Sequence, residues 1–309
     1  SYKRSPFDPS AGDFLGIGTS LRLQSSATTA MTYHPNVRLE FASATDPGMV
    51  RAHNEDSVAV SAEYGLAVLA DGMGGYNAGE VAALMATASL RHQIEAALTE
   101  NPHIFEAEAV ELWHQWLQSH IQHVNLDIYE AGLSNEEFSG MGTTLVMALF
   151  YGQRLLVAHI GDSRLYRLRH GNFLQITRDH SLLQAEIDVG LITPEEARHA
   201  LHKNLVTRAV GVTPFVSADM QELDTQAGDT YLLCSDGLTD MVEDEIIAAI
   251  LENQKYSLEA KASLLINSAN DRGGRDNISV ILIRIGDHDS NRLHLTGRLT
   301  AWLKKSSLA

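Results

Sequence analysis

The chain has 309 residues, of which 44% are hydrophobic and 20% are charged, and this composition predicts a packed globular protein rather than a disordered or collagen-like one. Acidic residues outnumber basic residues by 39 to 23, so the formal net charge of −16 disfavours a general DNA- or RNA-binding protein, whose partner is itself an anion. Cys234 is the single cysteine, which excludes an internal disulfide and a multi-thiolate zinc site and favours a reducing, cytoplasmic location.

The first part of the chain changes from an irregular segment to strands and then to helices. Residues 1–33 are rich in Ser, Thr, Ala and Gly, and we expect them to form a flexible N-terminal extension, either natural or vector-derived. Short apolar runs bounded by Gly, Pro or acidic residues predict strands at Val37–Ala44, Ser57–Ser61 and Gly65–Ala70. The next two apolar stretches predict long helices at Ala78–Leu98 and Glu106–Ala131.

The rest of the chain returns to strands and then alternates blocks of helices and strands. Apolar runs separated by turn residues predict strands at Thr143–Tyr151, Arg154–Ile160, Ser163–Arg169, Phe173–Thr177, Leu205–Val210, Val216–Glu222, Asp229–Cys234 and Ile278–Ile285. Helices are predicted at 180–203, Glu243–Glu252 and Leu258–Asn270. Blocks of this kind indicate an α+β domain with mainly antiparallel sheets, because a doubly wound fold would alternate single strands and helices.

The C-terminal tail, residues 287–309, combines regularly spaced leucines and Trp302 with several basic residues, which predicts an amphipathic helix. We favour a terminal helix that packs on the body of the protein or frays over one that binds a membrane surface, because the pattern is short. The sequence contains no apolar run long enough to span a bilayer, so we expect no transmembrane segment. We expect a monomer.

Acidic residues recur at the ends of the predicted strands, next to glycine or another turn residue. They are Glu55 and Asp56 before the second strand, Asp71, Asp162 and Asp236 after later strands, and Asp276 before the last one. A single Asp-Gly pair predicts only a turn. Several carboxylates at one sheet edge would repel each other without a cation, and hard divalent cations prefer oxygen ligands. The pattern therefore predicts a divalent-cation site.

Six short motifs carry a resemblance to a known family. In chain order they are Arg51-Ala-His-Asn-Glu55-Asp56, Ala70-Asp71-Gly72-Met73-Gly74-Gly75, Gly142-Thr143-Thr144, Gly161-Asp162-Ser163-Arg164, Ser235-Asp236-Gly237-Leu238 and Arg275-Asp276-Asn277. Each motif is weak alone. Their order and spacing over about residues 38–286 resemble the bacterial type of the metal-dependent protein serine/threonine phosphatases, the protein phosphatase 2C or PPM family.

The resemblance implies an α-β-β-α sandwich, with two central, mainly antiparallel sheets flanked by helices and a dinuclear metal site at one edge. Residues 34–286 would form the catalytic domain. The implied activity is hydrolysis of phosphoserine and phosphothreonine in proteins by a metal-activated water, with two to three Mn²⁺ or Mg²⁺ ions as cofactors. The implied partners are phosphorylated proteins and a serine/threonine kinase that the enzyme opposes.

By the same resemblance, Asp71 would bridge two metals and the carbonyl of Gly72 would bind one of them. Asp236 and Asp276 would hold the other metal. Arg51 would be the catalytic residue that binds the substrate phosphate, a role suited to a guanidinium because it can pair with two oxygens at once.

The resemblance also implies roles for residues around this centre. Glu55 and Asp56 would act on the metals directly or through water, and Asp162, with Asp236, matches the third, weaker metal position of bacterial members. The segment from about His180 to Thr207 falls where the family has a variable flap. Some members carry a histidine where this chain has Met73, which cannot donate a proton, so the general acid stays open and a metal-bound water is our preferred donor.

Three other functions are the alternatives to this one. A non-catalytic phosphatase-fold regulator that binds a phosphoprotein would be expected to lose metal ligands, whereas this chain keeps the full set of acids. A hydrolase of small phosphate esters remains open until substrates are assayed. A cysteine-based phosphatase is not supported, because Asp240 stands six residues after Cys234, where that chemistry requires an arginine.

Overall fold

The computed structural model describes residues 38–75, 78–101, 110–193, 196 and 205–286. The predicted N-terminal extension, the predicted tail helix and part of the predicted flap therefore lie outside the described residues. Within the described ranges, no helix combines the length and the apolar character that crossing a membrane would require.

Two antiparallel sheets form the centre of the fold. Their strands are β1 (Arg38–Asp46), β2 (Asp56–Ser61), β3 (Leu66–Met73), β4 (Gly142–Thr143), β5 (Leu145–Tyr151), β6 (Arg154–Ile160), β7 (Arg164–Arg169), β8 (Asn172–Gln175), β9 (Asp219–Asp224), β10 (Thr230–Cys234) and β11 (Ile278–Gly286). One sheet has the order β1-β11-β10-β7-β8, and the other has the order β2-β3-β5-β6-β9 with β4 paired to β3. The predicted α+β sandwich is confirmed.

The helices are α1 (Ala78–Glu100), α2 (Val110–Ser134), α3 (Leu182–Asp188), α4 (Asp236–Thr239), α5 (Asp244–Glu252) and α6 (Leu258–Asn270), with a short 3₁₀ turn at Glu136–Phe138. Capping explains where two of them begin. The Ser257 hydroxyl accepts a hydrogen bond from the Ala260 N–H at the start of α6, and Ser181 does the same for Gln184 at the start of α3. Each cap satisfies a helical N–H that has no partner within the helix.

Three buried clusters define four layers. Between the sheets, side chains such as Leu69 and Val146 of one sheet meet Leu233 and Ile281 of the other. Helices α1 and α2 cover the outer face of the β3-containing sheet, and α5 and α6 cover the outer face of the β10-containing sheet. Because β5 and β10 are buried on both faces, their sequences are continuous apolar runs rather than alternating ones.

The strand predicted at Leu205–Val210 is wrong. Val206 and Val210 make only isolated bridges, to Ser181 and Thr143 respectively. The Thr207 N–H donates to the His180 carbonyl at 2.8 Å. This hydrogen bond holds the two ends of the intervening segment next to each other. The helix predicted at 180–203 is wrong for residues 189–193, which are not helical after α3 ends at Asp188, while most of residues 194–203 lie outside the described residues.

A loop replaces the start of the strand predicted at Val216–Glu222, which begins instead at Asp219. Three amide side chains on α2 hold this loop, and each makes two hydrogen bonds to its backbone. The bonds run from Asn125 to Gly211 and Thr213, from Gln122 to Pro214 and Val216, and from Gln118 to Val216 and Ala218. Because these amides satisfy the backbone, the loop needs no partner strand.

Candidate metal centre

The predicted strand-end acids meet at one edge of the sandwich. Asp56 and Asp71 stand directly opposite each other on the antiparallel pair β2 and β3. Asp236 begins α4 just after β10, and Asp276 precedes β11, the antiparallel neighbour of β10. Asp162 follows β6, and its charge acts on both Asp71 and Asp236. The structure therefore brings these carboxyl groups together from both sheets.

The backbone around Asp71 is tightly fixed. Its N–H donates to the Thr144 hydroxyl at 2.9 Å, and its carbonyl accepts from the Thr144 N–H at 2.8 Å. The next residue, Gly72, donates its N–H to the Glu55 carbonyl at 3.1 Å. A Cβ atom at Gly72 would lie 2.0 Å from the carbonyl oxygen of Gly79 in α1, so only glycine fits there.

The acids at this edge resist ionisation together. Burial raises the pKa of Asp71 well above its usual range, and the charges of Asp56 and Asp236 raise it further. Burial also raises the pKa of Asp236, with further contributions from Asp162 and Asp240. Burial raises the pKa of Asp56 to about 6. Ionising all of these groups near neutral pH requires a compensating positive charge.

Two oxygen atoms at this edge are suited to a cation. Among the described residues, Asp56 Oδ1 and Asp236 Oδ1 are buried carboxylate oxygens without a hydrogen-bond partner. The other oxygen of Asp56 accepts from the Ser235 hydroxyl at 2.8 Å, which fixes the orientation of that carboxyl group. Buried oxygens that are unpaired and close to other acids fit hard divalent cations such as Mn²⁺ or Mg²⁺.

Arg51 and Glu55 lie at the rim of the centre. Arg51 Nη2 donates to Asp276 Oδ2 at 2.8 Å, and about half of the Arg51 side chain is exposed. Partial burial lowers the pKa of Arg51, but the Asp276 carboxylate outweighs it and holds that pKa above its usual value. Burial raises the pKa of Glu55.

Asn277, to which the sequence assigned no role, organises the loop that carries these two residues. Its Oδ1 accepts from the Glu55 N–H at 2.8 Å, and its Nδ2 donates to the carbonyls of Pro47 and His53 at 3.0 and 2.9 Å. One side chain next to Asp276 therefore connects to the backbone on both sides of Arg51.

Asp162 is buried in the turn between β6 and β7. Burial, and after it the charge of Asp179, raise the pKa of Asp162 to about 6. Asp179 is itself engaged in a bidentate ion pair with Arg164, two residues after Asp162. The turn is thus anchored on one side by Arg164, while the charge of Asp162 acts on Asp71 and Asp236.

A second cluster, His159, His180 and Asp219, has the residue types of a transition-metal site. Two features argue against that function. The imidazole rings are stacked, with centroids 4.6 Å apart and planes only 19° from parallel, so their in-plane lone pairs cannot converge on one ion. His180 Nδ1 also accepts the Gly161 N–H at 3.1 Å, which places the proton of the neutral ring on Nε2, facing Asp219.

Cys234 is fully buried on β10. Burial raises the pKa of its thiol far above the usual value, and the nearby charge of Arg164 lowers it only partly. A buried thiol that stays protonated is a poor nucleophile, so the structure agrees with the exclusion of a cysteine-based mechanism.

The raised carboxyl pKa values predict that chelated protein unfolds more readily at pH 7 than at pH 5. Asp162 titrates near pH 6 in the folded protein and near pH 3.9 when unfolded, so the folded state binds more protons between these values. The unfolding free energy therefore falls as pH rises through this window. We expect a smaller difference in melting temperature between pH 5 and pH 7 for Asp162→Asn than for the wild-type chain.

This comparison is needed because burial lowers the pKa of His180, which acts in the opposite direction. Both proteins contain that histidine, so its contribution cancels. Equal pH dependence of the two melting temperatures would contradict the prediction.

Comparisons with known proteins agree with the geometry. The family model described as Protein phosphatase 2C matches residues 50–270, which is more than half of the chain. The serine/threonine phosphatase stp of Listeria innocua is 40% identical over 242 residues, covering 77% of this chain and 93% of its own length.

Solved structures extend the similarity to three dimensions. The crystal structure of the Mycobacterium tuberculosis serine/threonine phosphatase PstP/Ppp matches with a TM-score of 0.72 and 39% identity, over 82% of this chain and 100% of that one. The catalytic domain of PstP in complex with two manganese ions matches with a TM-score of 0.68 and 39% identity, over 81% of this chain and 99% of that one.

Proposed function

Since the chain belongs to the protein phosphatase 2C family, we propose that it is a protein serine/threonine phosphatase that hydrolyses phosphoserine and phosphothreonine with divalent cations as cofactors. The observation that carries this proposal is the meeting of acids from both sheets, where, among the described residues, two buried carboxylate oxygens have no hydrogen-bond partner. Such an arrangement is costly without cations, and it has a clear use with them.

We assign the cation ligands as follows. Asp71, the Gly72 carbonyl, Asp236 and Asp276 would hold two Mn²⁺ or Mg²⁺ ions, and the manganese-bound PstP structure supports this choice of metal. Asp162, together with Asp236, would hold a third and weaker one. Glu55 and Asp56 would act on the ions directly or through water. When bound, the ions supply an activated water nucleophile and positive charge for the phosphate oxygens.

The residues of the chain position the substrate. A guanidinium carries five N–H donors, so the single bond from Arg51 to Asp276 leaves other donors for two phosphate oxygens. Ser235 keeps the Asp56 carboxyl group turned toward the centre. Met73 cannot protonate the leaving serine or threonine oxygen, and we assign that proton to a water at the centre.

Several further expectations belong to the same proposal. Residues 34–286 would form the catalytic domain, and the enzyme would act as a cytoplasmic monomer that opposes a serine/threonine kinase. The named relatives support a phosphoprotein substrate. A non-catalytic regulator is the less favoured function, because the complete acid set would have no role in it.

The function is tested with three substrates offered to the same enzyme in Mn²⁺: a phosphothreonine peptide, the matching phosphotyrosine peptide and p-nitrophenyl phosphate. We expect the highest kcat/KM for the phosphothreonine peptide. A preference for the tyrosine peptide would contradict the assignment. Hydrolysis of p-nitrophenyl phosphate alone would indicate an esterase for small phosphate compounds, and binding without turnover would indicate a regulator.

Arg51→Ala should raise the KM for the phosphothreonine peptide by roughly 10-fold, because a hydrogen bond to a charged group contributes about 1.5 kcal/mol at such an exposed position. Mn²⁺ binding measured by calorimetry should change little. Arg51→Lys should recover part of the loss, since the charge returns without the bidentate geometry. An unchanged KM for Arg51→Ala would show that Arg51 does not bind the substrate phosphate.

A further inference from the structure

Two buried hydroxyl groups join the parts of the centre that carry Asp71 and Asp162. Thr144 lies between β4 and β5, and Ser163 directly follows Asp162. Their hydroxyl oxygens are 2.7 Å apart, and each residue is 1% exposed. Thr144 Oγ1 also accepts the Asp71 N–H at 2.9 Å. A continuous path therefore runs from the Asp71 backbone through Thr144 to the residue after Asp162.

The path is rigid because every part of Thr144 is engaged. Its N–H donates to the Asp71 carbonyl at 2.8 Å, which closes a two-bond clamp on Asp71. Its methyl group packs against Gly161, where a Cβ atom would lie 2.7 Å from Thr144 Cγ2. Gly161 has a φ of +99°, a conformation that favours glycine, so this close approach is built into the turn.

The hydroxyl chemistry allows only a few arrangements. One lone pair of Thr144 Oγ1 is occupied by the Asp71 N–H, which leaves its own proton, or the other lone pair, for Ser163. Both hydroxyl groups lie away from water, so a side chain without a hydroxyl at position 144 would leave the Asp71 N–H without its acceptor, whereas one at position 163 would not. The Asp162 turn has a second anchor, the Gly161 N–H bond to His180, which keeps the turn folded when the first is removed.

We propose that Thr144 and Ser163 are positioning residues that fix the separation of Asp71 and Asp162, and thereby couple cation binding at Asp162 to cation binding at Asp71. This inference rests on the proposed function, because it uses the cation-binding roles assigned there. Neither hydroxyl touches the substrate. Their effect reaches the reaction only through the placement of the two carboxyl groups.

The test measures Mn²⁺ binding directly, by calorimetry without substrate, on Thr144→Val, Thr144→Ser and Ser163→Ala. Ser163→Ala keeps the Asp71 clamp but cuts the path, so it should weaken only the last and weakest binding step, by about 10-fold. Thr144→Val removes the hydroxyl from the Asp71 clamp as well, and it should weaken the earlier steps too. Thr144→Ser restores the hydroxyl and should bind Mn²⁺ nearly as the wild-type chain does.

A matched control comes from another hydroxyl pair. Ser57 and Thr87 are also 2.7 Å apart, and Thr87 is 1% exposed on α1, so Thr87→Val removes a comparable hydrogen bond elsewhere. It should lower the melting temperature without changing the Mn²⁺ isotherm. If the last binding step of folded Ser163→Ala matches that of the wild-type chain, the inference is overturned, even where Thr144→Val fails to fold.

Failure of this inference is distinguishable from failure of the proposed function. A wild-type chain that neither binds Mn²⁺ nor hydrolyses phosphothreonine would refute the function, and the inference with it. A wild-type chain that does both, beside a Ser163→Ala variant with the same isotherm and the same Mn²⁺ dependence of turnover, would refute the inference alone.

Discussion

Chelation of divalent cations should abolish hydrolysis of the phosphothreonine peptide, and added Mn²⁺ or Mg²⁺ should restore it. The buried acids at the sandwich edge raise each other's pKa, and among the described residues two of their oxygens have no hydrogen-bond partner. Without cations, the mutual repulsion of these carboxylates would also repel a phosphate dianion, and Arg51 at the rim supplies only one positive charge against it. The measurement is peptide turnover after exhaustive chelation, with the residual metal content determined on the same sample.

Cation binding should also change stability, which provides a readout independent of turnover. A ligand that binds only the folded state raises the free energy of unfolding. The melting temperature of chelated protein at pH 7 should therefore rise when Mn²⁺ is added. Full turnover by a sample shown to be free of metal would refute the proposed mechanism.

Asp236→Asn should reduce turnover by at least about 100-fold, since even residues that only support metal ligands cost 10- to 100-fold when they are lost. The substitution keeps the shape of the side chain and removes its charge. Because Asp236 has a buried carboxylate oxygen and stands among other acids, the chelated variant should be more stable than the chelated wild-type chain. The expected result is therefore a loss of activity and Mn²⁺ affinity together with a gain in melting temperature without metal.

Asp127→Asn is the control for this substitution. It makes the same chemical change on the exposed surface of α2, where Asp127 lies 3.8 Å from His123. Its turnover and Mn²⁺ isotherm should equal those of the wild-type chain. If Asp236→Asn lost activity while binding Mn²⁺ normally, Asp236 would have a role other than that of a metal ligand.

The sequence predicts the layers of this fold well because most strands carry the signal within themselves. The predicted bounds of the strand at Arg154–Ile160 and the helix at Leu258–Asn270 agree with the structure. Both segments are bounded by local features that are visible in the sequence, such as the turn next to the strand and the serine cap at the start of the helix. A buried apolar run between two such features leaves few alternatives.

The errors lie where distant residues decide the conformation. Residues 205–210 have the apolar composition of a strand, but each bridge that they make is isolated. The strand predicted to begin at Val216 begins three residues later, at Asp219, because side chains of α2 form hydrogen bonds with the backbone of the preceding residues. No local pattern could show that Gln122 and Gln118 would take the place of a neighbouring strand.

The candidate site follows the same division. Acids at strand ends are visible in the sequence, and antiparallel pairing brings them together, although their roles as metal ligands stay a prediction. Asn277, Ser235 and Thr144 stand in three of the six motifs, but small polar residues beside turns are common, so the motifs do not predict which groups these side chains contact. Their contacts span 222 residues for Asn277 and Glu55 and 73 residues for Thr144 and Asp71, distances that only the folded chain closes.

The amide contacts between α2 and the loop at Gly211–Ala218 constrain how this protein can vary. Asn125, Gln122 and Gln118 lie about one helical turn apart, and their partners in the loop shift by three and then by two residues, so each amide meets the next part of the loop backbone. Inserting or deleting one residue within the loop would shift its backbone relative to these amides. Several of the six hydrogen bonds would then be lost. Surface loops usually tolerate changes in length. This one should keep its length among related sequences, even where its side chains differ.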